Sequence, residues 1–285
     1  MEEENIFYEI PESVLDEAVG ITSEQETPTS SVVAENNTEA PAETSYNTNF
    51  IMDNTVRFSQ AEWFDYISKT SVVLGGAGGI GSWLALLLFR ANISYLYLYD
   101  PDYVDTTNLA GQFFKRSQVG FSKASSVWEN ITNFSDSYGI NYWERPYDEN
   151  SKINNIMMCG FDNMAARKCF FTNWLKGLTF YDKSDCLFLD GRLSAECLQV
   201  FCVQGDDEEA IKAYQEKYLF NDDQADATTC SYKQTSFMAN MIAATMMNVF
   251  VNWCANRAGS FRPVPFFTEY NAVTMNYKFK INPDE

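Results

Sequence analysis

The chain has 285 residues, 46 % of them apolar, enough to bury a sizeable core in one large domain or two small ones. Its formal charge is −19, and residues 1–55 hold 13 Asp or Glu with no Lys or Arg, so phosphate backbones and anionic membrane surfaces are repelled and no nucleic acid or membrane partner is expected. The absence of histidine removes Ser-His-Asp triads, Cys-His dyads and His-ligated metals together.

Residues 1–52 are rich in Glu, Thr, Ser, Asn and Ala and cannot offset the entropy of ordering, which predicts a disordered acidic tail ahead of a globular domain over 53–285. A short amphipathic stretch over 6–19 could fold on a partner, and no secretory signal pattern is seen. The apolar run 71–74, the glycines of 75–81 and the apolar stretch 82–91 read as strand, turn and helix. The aromatic strand 95–99 follows and ends in Asp100. Further on, 122–134 reads as a helix, 156–159 as a strand, 163–176 as a helix and 186–189 as a strand. Alternating strands and helices imply a Rossmann-like, doubly wound α/β fold with a mostly parallel sheet. Segment 196–204 alternates like a half-exposed strand, 206–218 looks helical, and 264–281 suggests antiparallel strands, hence an antiparallel C-terminal extension. The run 236–255 is near membrane-spanning length, but Asn240, Thr245, Asn248 and Asn252 interrupt it and no basic cluster flanks it. It reads as a core or interface helix.

Gly76-x-Gly78-x-x-Gly81, with Gly79 between, has the spacing that lets backbone N–H groups approach phosphate at a helix N-terminus. Its place between strand and helix, with an acid at the end of the next strand, strengthens a nucleotide-binding reading over a turn that serves only close packing. Asp100-Pro-Asp102-Tyr-Val-Asp-Thr-Thr-Asn108-Leu-Ala-Gly111-Gln112 comes next, then Lys123, then Asp162-Asn163-Met-Ala-Ala-Arg167.

That combination resembles the ThiF/MoeB/HesA family, related to ubiquitin-activating enzymes, whose pattern runs G-x-G-G-x-G, D-x-D-x-V-x-x-x-N-L-x-R-Q, a lysine, and D-N-x-x-x-R. The resemblance implies an adenylyltransferase that uses ATP and Mg²⁺ to activate the C-terminal carboxylate of a small ubiquitin-like or sulfur-carrier protein, and a homodimer. By it Asp100 holds the ribose, Asn108 and Lys123 the phosphates and Asp162 the magnesium ion; Asp102 belongs to the same nucleotide site, and Gln112 supports it. Cys230, ahead of the long apolar helix, stands where relatives carry a functional cysteine, and Lys233 is a candidate to lower its pKa. Arg192, in Asp190-Gly191-Arg192, resembles the part facing the carrier's tail; alternatively it is a turn arginine in a surface ion pair. The family's paired C-x-x-C is missing, so no zinc is expected.

Seven cysteines with no C-x-x-C pair suit a reducing cytosol, and a cytoplasmic protein is expected. Taken singly, Asp100 could cap a strand end, Lys123 could be a solvated helix residue, and Asp162-Asn163 could cap the helix that follows. Two family arginines are replaced, by Gly111 in N-L-x-R-Q and by Gln60 in the R-x-x-R entry segment that begins at Arg57; Lys115, Arg116 and Arg192 are the candidate substitutes. These losses keep open a nucleotide-binding or scaffold relative without catalysis. An NAD-dependent dehydrogenase fits the glycine turn and Asp100 equally well but lacks a Tyr-x-x-x-Lys pair or a histidine acid.

Overall fold

Alternate residues of a strand face opposite sides of a sheet, and here the two sides are chemically different. The computed structural model describes residues 55–135, 139–220 and 235–284. Within them β1 (Ser71–Gly75), β2 (Tyr95–Tyr99), β3 (Ile140–Trp143), β4 (Ile156–Cys159), β5 (Leu187–Ser194), β6 (Cys197–Gln204), β7 (Phe267–Asn271) and β8 (Asn276–Lys280) form one sheet in the order β3-β2-β1-β4-β5-β6-β7-β8. Strands β3 to β5 in that order pair in parallel, and β5 through β8 are antiparallel.

One face is aliphatic. Val72, Leu74, Leu96, Leu98, Met158, Leu187 and Leu189 meet helices α2 (Gly79–Arg90), α3 (Lys123–Ser135) and α6 (Ser236–Arg257) there. The other face is aromatic: Val73, Tyr99, Met157 and Phe188 pack against Phe170, Phe171 and Trp174 of α4 (Met164–Gly177) and Ala210 and Ala213 of α5 (Glu208–Ala213). A short helix, α1 (Phe64–Ile67), precedes β1.

Helix α6 is long and apolar enough to cross a membrane, yet Met238, Ile242, Ala243, Met246, Phe250 and Trp253 on it are wholly buried against the aliphatic face. Gly191 of β5 permits that approach, since a Cβ there would lie 2.6 Å from Met246 Sδ. Helix α2 ends in a Schellman motif, with Asn92 at φ +72° where glycine is usual, Asn92 N bonding Phe89 O and Ile93 N bonding Leu88 O.

Helix α1 was not expected, and three further elements differ from the sequence reading. The edge strand β3 was not expected, because only Ile140 in it is buried. Strand β5 runs five residues past Leu189, through Asp190 and Arg192, because β6 pairs with it along its whole length and the charges find partners. The helix expected over 206–218 closes in a π-helical turn, Tyr214–Tyr218. The tail expected over 1–52 lies outside the described residues.

The sheet order reverses direction about β1: β2 and β3 lie on one side of it, β4 and β5 on the other. Such a switch leaves a crevice at the carboxyl ends of the strands, where open α/β sheets bind ligands.

Candidate active site

The turn after β1 is held by backbone geometry. Gly76 sits at φ +90°, a conformation only glycine adopts cheaply, and its N–H donates to Tyr99 O at 2.9 Å. A Cβ on Gly81 would lie 1.8 Å from Gly76 O, so α2 touches the turn that launches it. A Cβ on Gly76 would meet Gly160 O, after β4, at 2.9 Å, and Gly160 N donates to Gly75 O at 2.8 Å. Gly78 differs: among the described residues a Cβ there meets nothing within 4 Å. Among the described residues no side chain caps α2, and the N–H groups that open a helix have no partner within it. With the helix dipole behind them they make an anion cradle.

Asp100, at the end of β2, faces the same turn. Its Oδ2 accepts from Ala77 N at 2.6 Å and its Oδ1 from Asp102 N at 2.8 Å. It is 5 % exposed, and burial pushes its carboxyl above the ordinary value against the pull of those two N–H groups and of Lys123. Asp102 is exposed and takes the Lys123 ammonium at 2.9 Å. Lys123 itself is buried as the first residue of α3, tied to the loop by Lys123 N donating to Asp102 O. It is therefore not a solvated helix residue.

The loop from Asp102 returns over α2. Phe113 N donates to Ser82 Oγ at 3.0 Å, and Trp83 Nε1 to Gly111 O at 3.0 Å. Gln112 between them has a buried Oε1 with no partner among the described residues. Asn108 closes its own turn by accepting from Asp105 N at 2.9 Å. Asp162 is exposed after β4, with Asn163 Nδ2 3.3 Å from its Oδ1. Asn163 also caps α4, its Oδ1 accepting from Ala166 N.

Sequence reasoning left Arg192 between a ligand-facing and a surface role, and the structure gives it an internal partner. Its Nε donates to Asp190 Oδ2 at 2.8 Å and its Nη2 to Tyr218 O at 2.8 Å, with the guanidinium carbon 4.6 Å from the Phe201 ring centre. Asp190 is wholly buried and also accepts from Arg167 and from the Tyr214 hydroxyl. This Arg167–Asp190–Arg192–Tyr214 cluster was not foreseen. The signal was present in an acid and an arginine two apart, directly after a buried apolar run.

The fate of the substitutes for the missing arginines is equally plain. Lys115 pairs with Glu129 at 3.2 Å, Arg192 is engaged as above, and Arg116 is exposed; Arg57 and Gln60 are exposed as well. Cys230 and Lys233 lie outside the described residues. Among the described residues the six other cysteines are free, and no group of three or more Cys, Asp or Glu is placed to hold a metal. A nucleotide's magnesium needs no such group, since one or two carboxylates and the phosphates suffice. The open cradle at Gly78, the buried acid beside it and the adjacent cation fit a nucleotide.

A sequence model described as the ThiF family matches residues 53–285. The ubiquitin-like modifier-activating enzyme 5 of Oryza sativa subsp. japonica is 32 % identical over 83 residues, 27 % of this chain and 20 % of its own length. The adenylyltransferase and sulfurtransferase MOCS3 of Dictyostelium discoideum is 33 % identical over 107 residues, 35 % of this chain and 25 % of its own. The chain thus spans a quarter or less of these curated relatives. Among solved structures, E. coli MccB with MccA-N7isoASN superposes with a TM-score of 0.62 at 13 % identity, covering 83 % of this chain and 72 % of that one. PaaA does so at 0.60 and 13 %, covering 87 % and 77 %. These likenesses speak for the fold, a mostly parallel Rossmann-like sheet with antiparallel C-terminal strands.

Proposed function

The chain belongs to the ThiF family, and from that we propose that it is an ATP-dependent adenylyltransferase acting on the C-terminal carboxylate of a small ubiquitin-like or sulfur-carrier protein. The observation that carries the reading is the meeting of Asp100 with the glycine turn, beside the open space at Gly78. The matched relatives, one named for activating a ubiquitin-like modifier and one for adenylyl transfer, support the substrate class.

In the proposed reaction an oxygen of the carrier's terminal carboxylate attacks the α-phosphorus of ATP. The bond from that phosphorus to the bridging oxygen breaks, and pyrophosphate leaves with the electron pair. A carboxylate is ionised at neutral pH, so the nucleophile needs no general base and the lack of histidine costs nothing. The chain's work is alignment and charge neutralisation. Asp100 accepts from the ribose hydroxyls, the N–H groups opening α2 hold phosphate oxygens, and Lys123 turns from Asp102 to the phosphates. The Asn108 amide donates on the phosphate side of the pocket, and Gln112 supports the site. Asp162 would hold a magnesium ion jointly with the phosphates, and the ion supplies further neutralisation of their charge. Transfer to the Cys230 thiolate, forming a thioester and releasing AMP, is the proposed second step. A homodimer and a cytoplasmic location belong to the same proposal.

The replacement of two family arginines by Gly111 and Gln60 favours one second reading, a nucleotide-binding relative without catalysis. Exchange of labelled pyrophosphate into ATP, with and without candidate carrier proteins, separates the two. Carrier-dependent exchange abolished by Asp162→Ala is the result expected of the enzyme. ATP binding without exchange under any carrier assigns the non-catalytic relative, and binding of NAD in place of ATP rejects both.

A further inference from the structure

Arg167 is 6 % exposed on the second turn of α4, where a charge is expensive to bury and therefore needs an account. Its fork joins the turn after β4 to the middle of β5. Nη2 donates to Phe161 O, the carbonyl immediately before Asp162, while Nη1 donates to Asp190 and to Gly191 O at 3.2 Å. The turn it grips also touches the glycine turn, through Gly160 N on Gly75 O and through the contact of Gly160 O with Gly76. Asp162 is restrained from its other side by Asn163, whose amide reaches its carboxylate while its oxygen caps α4.

We infer that Arg167 is a positioning residue for Asp162: by fixing the Phe161 carbonyl to the middle of β5 it holds the Asp162 carboxylate in place for the nucleotide's divalent cation before the nucleotide arrives. The inference rests on the nucleotide reading above. A rigid planar fork is needed for it, because the acceptors belong to Phe161, Asp190 and Gly191 and a lysine ammonium is a single point donor group that cannot span them. Asp190 tolerates the arrangement because it is shared between two arginines and a tyrosine hydroxyl, which leaves none of its oxygens bare.

The test uses Mn²⁺ as the probe, its binding to the full chain with saturating ATP followed by electron paramagnetic resonance, in wild type and in Arg167→Lys and Arg167→Gln. Partners that orient a metal ligand are typically worth 10- to 100-fold in metal affinity, so a loss of about tenfold or more is expected, with metal-free ATP binding unchanged. Equal loss with and without metal, the mark of a merely structural residue, overturns the inference, as does no loss at all. A wild type that binds no Mn²⁺ with ATP sinks the nucleotide reading and this inference together. Binding by the wild type that the variants share sinks the inference alone. Should the variants not fold, backbone order parameters of the ligand-free wild type decide. Values of about 0.85 at Phe161 and Asp162, those of rigid backbone, support prior positioning, and values below about 0.6 refute it.

Discussion

Two glycines of one turn are expected to fail in opposite ways when each is replaced by alanine. At Gly78 the backbone φ is −75°, outside the left-handed region, and among the described residues an added methyl meets no atom within 4 Å. Alanine is a poorer N-cap than glycine but restricts the unfolded chain, and the two effects leave stability within about 1 kcal/mol of wild type. The methyl would stand where a phosphate oxygen approaches the helix N-terminus. Losing one or two hydrogen bonds to a charged group, each worth about 1.5–3 kcal/mol, removes roughly 3 kcal/mol of binding, about a hundredfold in Kd. At Gly81 the methyl would lie 1.8 Å from Gly76 O, far inside contact distance, so the turn or the helix must move. A cost above roughly 3 kcal/mol is expected, a fall of about 10 °C in Tm for a domain of this size. Calorimetric titration with MgATP and thermal melts of both variants make the assay. A Gly78→Ala protein that binds ATP like wild type, or a Gly81→Ala protein as stable as wild type, refutes the reasoning.

Replacing Lys123 by Met breaks a pair whose acid is mostly exposed, so the melt should move by no more than about 1 kcal/mol, while any exchange activity falls on the order of a hundredfold. Burial raises the Asp100 pKa, so ATP affinity that depends on the ionised acid should begin to fall on acidification while ordinary carboxylates are still charged, and Asp100→Asn should flatten that profile. The sign for folding is opposite. A raised carboxyl pKa contributes stability that is present at low pH and lost as pH rises through the folded value, so an Asp100→Asn chain should lose the corresponding slope in its pH–Tm curve. Cys230→Ser should leave pyrophosphate exchange intact and abolish any reducible carrier adduct on non-reducing gels. The Cys186 thiol, pushed up to about 11 by burial first and then by neighbouring acids, should resist alkylation at pH 8 in the native protein.

The parallel half of the sheet was legible because its strands are short apolar runs bounded by glycine or acid, and Ile156–Cys159 was placed to the residue. Strand β3 was hidden because it lies at the sheet edge and needs only one buried side chain. Strand β5 was cut short at Asp190 because a charge reads as a strand end when its partner, Arg167, sits 23 residues away in sequence. The same blindness applied to the site. Gly76 and Gly81 announce themselves by spacing, since their roles are set within one turn, and Asp100 by its place at the end of the apolar strand that follows. The engagement of Arg192 by Asp190 and Tyr218 depends on a tertiary network, and nothing in one sequence reveals which partner a lone arginine has taken. Burial of Lys123 likewise follows from the loop bond to Asp102 O, which periodicity does not show.

A crystal structure of the chain with Mg²⁺ and a non-hydrolysable ATP analogue tests the account most directly. The expected map has a phosphate against the N–H groups of Gly78 and Gly79, the ribose on Asp100, Lys123 released from Asp102 toward the phosphates, and a magnesium ion shared with Asp162. A nucleotide bound elsewhere, or a crevice left empty with Lys123 still on Asp102 at saturating analogue, would contradict it.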